Sequence, residues 1–432
     1  MSPFESLTLP NGTVVPNRIA KAAMEENMAD AEHLPSAELL RLYQAWADGG
    51  AGLIITGNVM IDRRAMTGPG GVVLEDGSRL DAFRDWTRAG RARGAQMWLQ
   101  LNHPGRQMMK SLGQQTRAPS AVSLDLGKHS NLFATPKAMT EQDIHEVITR
   151  FANAAKLGEQ AGFSGAQIHA AHGYLISQFL SPLTNRRTDD YGGSLENRAR
   201  ILIETVKAVR AAVSPGFSVA VKLNSADFQR GGFDAADAKI VVGMLNRLPV
   251  DLVELSGGSY EAPAMQGVAR DGRTLAREAY FLEFARDIAA VAKMPVMVTG
   301  GIRRIGIVQK VLDSGVAIAG IGTALAVKPD LPLAWRRGED PRPEVAPITW
   351  KSKPLASLAM MAVVKFQLRR LSRGSRPNPG ISPLWALLLT QLRTASLTRK
   401  YRRWMTSSAV ADRPQQEPMS SQANARVAGM SR

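Results

Sequence analysis

The 432-residue chain contains no cysteine. That absence excludes disulfides, thiolate-held iron–sulfur clusters and thiol catalysis together, and it suits a reducing cytoplasm, the expected location. The opening residues Met1 to Leu7 carry Glu5 and no basic stretch ahead of an apolar core, so no secretory signal is expected. Long apolar runs are missing as well. The one that matters, Pro354 to Val364, ends at Lys365, short of the roughly 20 residues that span a bilayer. Acidic residues are scarce in one region only. Residues 351–432 hold fifteen Lys and Arg against two acids, which is +13 of the formal +16 and leaves +3 for residues 1–350. A basic charge spread over the whole chain would point to nucleic acid. Its confinement to the tail argues against that partner.

What is present is ordinary globular composition, 44% apolar and 21% charged. Short apolar runs rich in β-branched residues alternate with segments of helical period, the βαβα pattern of a parallel sheet. Eight such runs are predicted as strands: Arg18–Met24, Gly52–Met60, Gln96–Leu101, Gly165–His172, Val219–Asn224, Asp251–Gly258, Pro295–Gly301 and Ile318–Leu325. Helices are expected between them at Ser36–Ala47, Arg79–Arg93, Glu141–Ala161, Leu195–Ala212, Ala235–Leu248, Tyr280–Ala292 and Ile305–Ser314. Eight alternations suit a closed α/β (β/α)8 TIM barrel better than an open doubly wound sheet. The turn signal Pro10-Asn11-Gly12 inside Phe4–Pro16 predicts an N-terminal hairpin that plugs the barrel bottom. A Pro- and charge-rich stretch, Arg336 to Pro347, marks the exit from the barrel. The expected organisation is a barrel over 1–340, a basic helical extension over 341–405 and a disordered tail over 406–432.

In such a barrel the chemistry lies at the C-terminal strand ends. The fourth predicted strand ends Gln167-Ile168-His169-Ala170-Ala171-His172-Gly173-Tyr174, so two imidazoles and a phenol can face the mouth together. A metal at this His-x-x-His would need a third ligand, and only His33, His103, His129 and His145 remain. Two structural histidines are the plain alternative. Glycines mark the last two strand ends, Gly300-Gly301 and Gly320-x-Gly322-Thr323, where barrels bind phosphate through backbone N–H groups. A glycine pair there is otherwise a tight turn.

The chain continues from Ser177 to Arg198 through Asn185-Arg186-Arg187 and Tyr191-Gly192-Gly193-Ser194-Leu195-Glu196-Asn197-Arg198. With Pro16-Asn17-Arg18-Ile19, Gln100-Leu101-Asn102-His103-Pro104-Gly105-Arg106, Ser256-Gly257-Gly258, Thr299-Gly300-Gly301-Ile302 and Gly320-Ile321-Gly322, the chain resembles the Old Yellow Enzyme family of FMN-dependent ene-reductases over about residues 3–340. The resemblance implies FMN as cofactor and NADH or NADPH as reductant. It implies that His169 and His172 bind the acceptor oxygen and that Tyr174 donates a proton. By the same resemblance, Ala22, Ala23, Met24, Gly57, Asn58 and Gln100 border the flavin ring, and Gly300, Gly301, Gly322 and Thr323 its phosphate. Three positions depart from the family pattern. Lys222 stands where an arginine is usual near the reduced ring, which keeps the charge but not the fork. Thr323 replaces an arginine that reaches the phosphate. Glu25 replaces a threonine or cysteine; ionised it opposes electron gain, and protonated it can donate a hydrogen bond.

The expected activity is therefore reduction of activated alkenes, with a small-molecule acceptor as partner. The alternatives are an NADH oxidase or xenobiotic reductase acting on oxygen or nitro compounds, and a flavin-binding barrel without turnover. The lack of cysteine excludes the cluster-containing dienoyl-CoA reductase branch. In the tail, Met361, Val364, Leu368 and Leu371, and again Leu384, Leu388 and Leu392, recur at helical spacing among cations, predicting two short amphipathic helices. Their basic faces either fold against the barrel or meet an anionic membrane, with Trp385 and Trp404 as interfacial anchors. Nucleic acid is the weakest partner, and the sequence leaves room for a homo-oligomer.

Overall fold

The computed structural model describes residues 1–264 and 278–407. Eight parallel strands form the barrel: β1 (Ile19–Lys21), β2 (Leu53–Met60), β3 (Gln96–Asn102), β4 (Gly165–Ala170), β5 (Ser218–Asn224), β6 (Leu252–Ser256), β7 (Val296–Thr299) and β8 (Ile318–Ile321). β1 pairs with both β8 and β2, which closes the sheet and leaves no barrel edge. Each predicted strand overlaps one of these, with β3 running one residue further and β5 starting one residue earlier than expected, and at most of the others the surplus C-terminal residues have left the ladder to become the loops of the mouth.

The inward face is layered, because side chains alternate along each strand and the register is fixed by pairing. Gln100 lies opposite Gln167, and Lys222 lies opposite both His169 and Glu254. The lowest layer is apolar: Trp98, Ala220, Leu252 and Met297 pack with Ala20, Leu53 and Ile318. Leu9 and Val15 join this cluster from the hairpin in which Leu7–Thr8 pairs antiparallel with Val14–Val15. Asn11 ties the turn to the barrel, donating to the Gly216 carbonyl at 3.1 Å and to Ser218 Oγ at 3.1 Å. The hairpin therefore seals the bottom, below the polar layer of Gln100, Gln167, Lys222 and Glu254.

The outer helices bury one face each. The helix Glu141–Gln160 starts at a capping box in which Thr140 and Asp143 satisfy each other's backbone N–H, and it turns Ile144, Phe151 and Ala155 inward. A short helix, Leu175–Leu180, follows the His-x-x-His segment at once. It was not expected from periodicity, since its six residues are all buried and carry no amphipathic signal.

The tail forms two helices longer than predicted, Lys353–Ser372 and Pro383–Thr406, and both fold against the barrel. Leu368 is buried in the main core, with Val364 and Leu371 packed beside it. Complete burial of one such leucine contributes about 1.5–3 kcal/mol. Arg41 Nε donates to the Ser372 carbonyl at 2.8 Å and Arg373 pairs with Glu38 at 3.0 Å, fastening the first tail helix to the helix Ala37–Asp48. Ala362, Val363 and Ala386 let the two tail helices approach closely. The second helix reaches round to the mouth side, where fully buried Tyr401 packs among Met60, Met66, Val73 and Met108 and donates to the Arg63 carbonyl at 2.8 Å. Trp404 lies against the His33 ring at 4.4 Å. The stripe Leu384, Leu388 and Leu392 faces solvent with Trp385, because the helix docks through its small and aromatic residues instead. The tail expected to be disordered lies, from Ser408 onward, outside the described residues. Among those described, no helix is long and apolar enough to cross a membrane.

Candidate active site at the barrel mouth

His169 ends β4 and points into the barrel; His172 and Tyr174 follow on the turn. The chain reverses there through two left-handed residues, His172 at φ 61° and Gly173 at φ 72°. A side chain at Gly173 would collide with Gln107 and Ser259. The turn is held by His172 N–H donating to Asn224 Oδ1 at 3.0 Å and by Gln107 Nε2 donating to the His172 carbonyl at 3.0 Å. As a result the His169 ring stands 5.0 Å from that of His172 and 4.9 Å from that of Tyr174.

The protonation states follow from burial. Desolvation, with Lys222 nearby, pushes both imidazoles well below their ordinary value, so both are neutral. The Ala171 N–H donates to His169 Nδ1 at 3.2 Å, which leaves the proton on Nε2 as an outward donor. His172 Nε2 meets Ser256 Oγ at 2.8 Å, which leaves Nδ1 as its free nitrogen. Burial, then the neighbouring Tyr260 phenol and the Glu25 charge, push the Tyr174 phenol well above its ordinary value, so it stays protonated. Tyr260 was not anticipated. Its hydroxyl lies 3.3 Å from that of Tyr174, and Gly257-Gly258 just before it was the available signal.

Below the histidines runs a continuous polar chain. Gln100 Nε2 donates to Gln167 Oε1 at 2.8 Å, Gln167 Nε2 donates to Glu254 Oε2 at 2.7 Å, and Thr299 Oγ1 donates to Glu254 Oε1 at 2.6 Å. Lys222 Nζ completes it at 2.7 Å from Glu254, with both side chains buried. The ammonium expected from the resemblance near the reduced ring thus has a counter-charge. Glu254 was missed, although one acid inside the apolar run Leu252–Leu255 is itself a signal.

At the end of β1, Glu25 is held by Lys365 of the first tail helix at 2.7 Å. Burial raises the Glu25 carboxyl, but the Lys365 charge and its hydrogen bond outweigh it and hold the group below its ordinary value. Of the two states open from sequence, the ionised one is favoured. No sequence signal distinguished Lys365 from the other tail cations. Gly57, on β2, accommodates Glu26 and the Met24 carbonyl, which a Cβ there would strike at 2.1 and 2.2 Å. Ala22 is buried, Ala23 and Met24 are half-buried, and Asn58 lies opposite Gln100 on the neighbouring strand.

At the other side of the mouth, Gly300 and Gly301 end β7 with φ of 153° and 68°. The Tyr280 ring closes over Gly301, within 2.5 Å of where a Cβ would sit. Gly322 is open, with only Met24 within 4 Å of its Cβ position, and Thr323 begins the short helix Thr323–Val327. Arg303 and Arg304, two and three residues beyond Gly301, both pair with Glu278, at 3.0 and 2.7 Å.

Residues 3–339 match the NADH:flavin oxidoreductase / NADH oxidase family. The chain belongs to that family. It is 38% identical over 322 residues to the NADH-dependent flavin oxidoreductase nadA of Aspergillus parasiticus, covering 72% of either chain. It is 37% identical over 351 residues to the NADH-dependent flavin oxidoreductase iliE of a Neonectria species, covering 76% of this chain and 46% of the relative. The Old Yellow Enzyme homologue of Zymomonas mobilis superimposes with a TM-score of 0.69 at 26% identity, over 80% of this chain and 95% of that one. The protein is a flavin oxidoreductase of the Old Yellow Enzyme type, with FMN as cofactor and a reduced nicotinamide as electron source. The mouth fits the ring of that cofactor. Among the described residues, Asn58 Oδ1 and both amide atoms of Asn102 are buried at the strand ends without a hydrogen-bond partner, as groups that bind a polar heterocycle would be. The family match stops at residue 339, so Lys365 reaches the mouth of this flavin oxidoreductase from outside the matched region.

Proposed function

We propose that the enzyme reduces the carbon–carbon double bond of activated alkenes, α,β-unsaturated carbonyl or nitro compounds. The observation that carries this reading is the grouping of two neutral imidazoles and one protonated phenol, His169, His172 and Tyr174, at a single strand end. FMN, when bound, supplies a two-electron carrier between the nicotinamide and the alkene. Gln100, Lys222, Asn58, Gly57 and the Ala22–Met24 backbone would hold its ring, with Gly300, Gly301, Gly322 and Thr323 at its phosphate.

The acceptor oxygen is bound by His169 Nε2–H and by His172. These donors draw electron density from the double bond and leave the β-carbon open to hydride, as an oxyanion hole does. Because both rings are uncharged, they polarise the oxygen without protonating it. Tyr174 then donates its phenolic proton to the α-carbon, and the adjacent Tyr260 hydroxyl is placed to replace it. Ionised Glu25, whose charge helps to hold Tyr174 protonated, keeps the acid loaded between turnovers. One test is anaerobic turnover of an enone and a nitroalkene with NADH and with NADPH, the saturated product being identified, beside aerobic nicotinamide oxidation alone. Saturated product that disappears in the His169→Ala, His172→Ala double variant supports the proposal. Oxygen consumption without any alkene reduction would replace it with an NADH oxidase. The proposed contact of the basic tail with an anionic membrane has one structural support, the exposed Leu384, Trp385, Leu388 and Leu392, and is tested below.

A further inference from the structure

The two tail helices border an open cavity of about 340 Å3 on the helix that also carries Lys365, lined by Phe366, Arg369, Arg370, Arg373, Leu389 and Arg393. Among the described residues no acidic side chain lines it, although Glu38 beside it exerts its charge on Arg369 and Arg393 as well as Arg373. Among the described residues, only Arg373 of the four arginines forms an ion pair, with Glu38. Arg369 donates to Thr390 Oγ1 at 3.3 Å and Arg370 Nε donates to the Arg376 carbonyl at 2.6 Å, both neutral acceptors. Arg370 also stacks over Phe366, 6.0 Å from the ring centre. Burial, then the charges of Arg393 and Arg373, pull the Arg369 guanidinium down to about 10.

Four guanidiniums gathered in a half-buried cavity against the single Glu38 carboxylate still repel one another, and further anionic charge would complete the arrangement. Guanidinium forks match tetrahedral oxyanions in geometry. The cavity is far larger than one phosphate, and Phe366 and Leu389 give it an apolar wall. We propose that this helix pair is a binding site for a phosphate-bearing ligand with an organic portion, lined by none of the residues placed at the catalytic mouth. Such a group comes either from a soluble phosphate ester or from an anionic lipid headgroup. The exposed face beginning at Leu384 and Trp385 on the Arg393 helix brings the second source within reach.

The test uses full-length enzyme with inorganic pyrophosphate, and with phosphatidic acid vesicles against phosphatidylcholine vesicles, by calorimetry, co-sedimentation and melting. Pyrophosphate is expected to bind with a Kd of about 1 mM or tighter at low salt, weakening as salt rises, and to raise the melting temperature. Arg369→Gln with Arg393→Gln should weaken binding at least about 10-fold, as loss of two charge-assisted contacts requires. It should also raise the melting temperature of the ligand-free protein by relieving repulsion. Arg376→Gln with Lys400→Gln, an equal change of net charge on exposed residues outside the cavity, should change binding less than about 2-fold. Binding to pyrophosphate but not to phosphatidic acid vesicles assigns a soluble ligand. The reverse assigns a lipid headgroup. Binding of neither probe, or equal losses in the two double variants, overturns the site.

Discussion

Replacing Lys365 with methionine keeps most of the side-chain volume on the first tail helix and removes the ammonium that lies 2.7 Å from Glu25. A hydrogen bond between charged partners contributes about 1.5–3 kcal/mol, and both side chains are less than a third exposed, so screening reduces this little. At 1.36 kcal/mol per unit, the Glu25 carboxyl should rise by roughly 1–2 units. Burial, which Lys365 now outweighs, would then dominate and carry the group above its unfolded value. The sign of its pH dependence reverses with it. In the parent, a depressed carboxyl stabilises the fold above the unfolded value and loses that contribution as pH falls. In the variant, a raised carboxyl contributes only at low pH and loses it as pH rises. With about 2.1 cal/mol/K of unfolding entropy per residue, this chain should lose about 2–3 °C of Tm at pH 7.5, and much less near pH 4. Adding Glu25→Gln should restore most of the loss at pH 7.5, because no unpaired charge remains. Calorimetric melting of the parent, Lys365→Met and the double variant at both pH values decides it. An equal loss at the two pH values, or no rescue by Glu25→Gln, would show that Lys365 acts by packing and that the pair does not control Glu25.

Tyr174→Phe should leave flavin reduction by nicotinamide intact and slow its reoxidation by enone about 100-fold or more, read by stopped flow; unchanged reoxidation would move the acid elsewhere. Since burial drives His169 and His172 below their ordinary 6.5 and Tyr174 above its ordinary 10.0, kcat/KM for an enone should show no ionisation of these three groups between those limits, and a histidine-like inflection near 6.5 lost in His169→Ala would contradict it. Purified protein should be yellow and release FMN, not FAD, on denaturation, as chromatography of the supernatant will show. Tyr401→Ala, which empties a fully buried site under the tail, should cost about 3–5 kcal/mol and lower Tm by several degrees while FMN content is retained; an unchanged Tm would mean that the second tail helix does not pack on the barrel.

The barrel was legible in the sequence because parallel strands buried on both faces read as short continuous apolar runs, and eight of them alternate with helical patterns. His169, His172 and Tyr174 were legible for a related reason: residues two and three apart at a strand end share one loop, so their proximity follows from local geometry. Long-range partners left no such trace. Glu254 meets Lys222 only because strand register sets the two opposite each other, and it reaches Gln167 diagonally across β5, where Gln167 itself faces Ala220. The tail shows the limit most plainly. Its apolar spacing forecast helices, yet the stripe at Leu384, Leu388 and Leu392 lies in solvent while Ala386 and Tyr401 are buried. Periodicity fixes which residues share a helix face, whereas the face that docks depends on the shape of the surface that receives it. The pairing of Lys365 with Glu25 spans 340 residues, and only closure of the barrel and docking of the tail against it bring the two charges together.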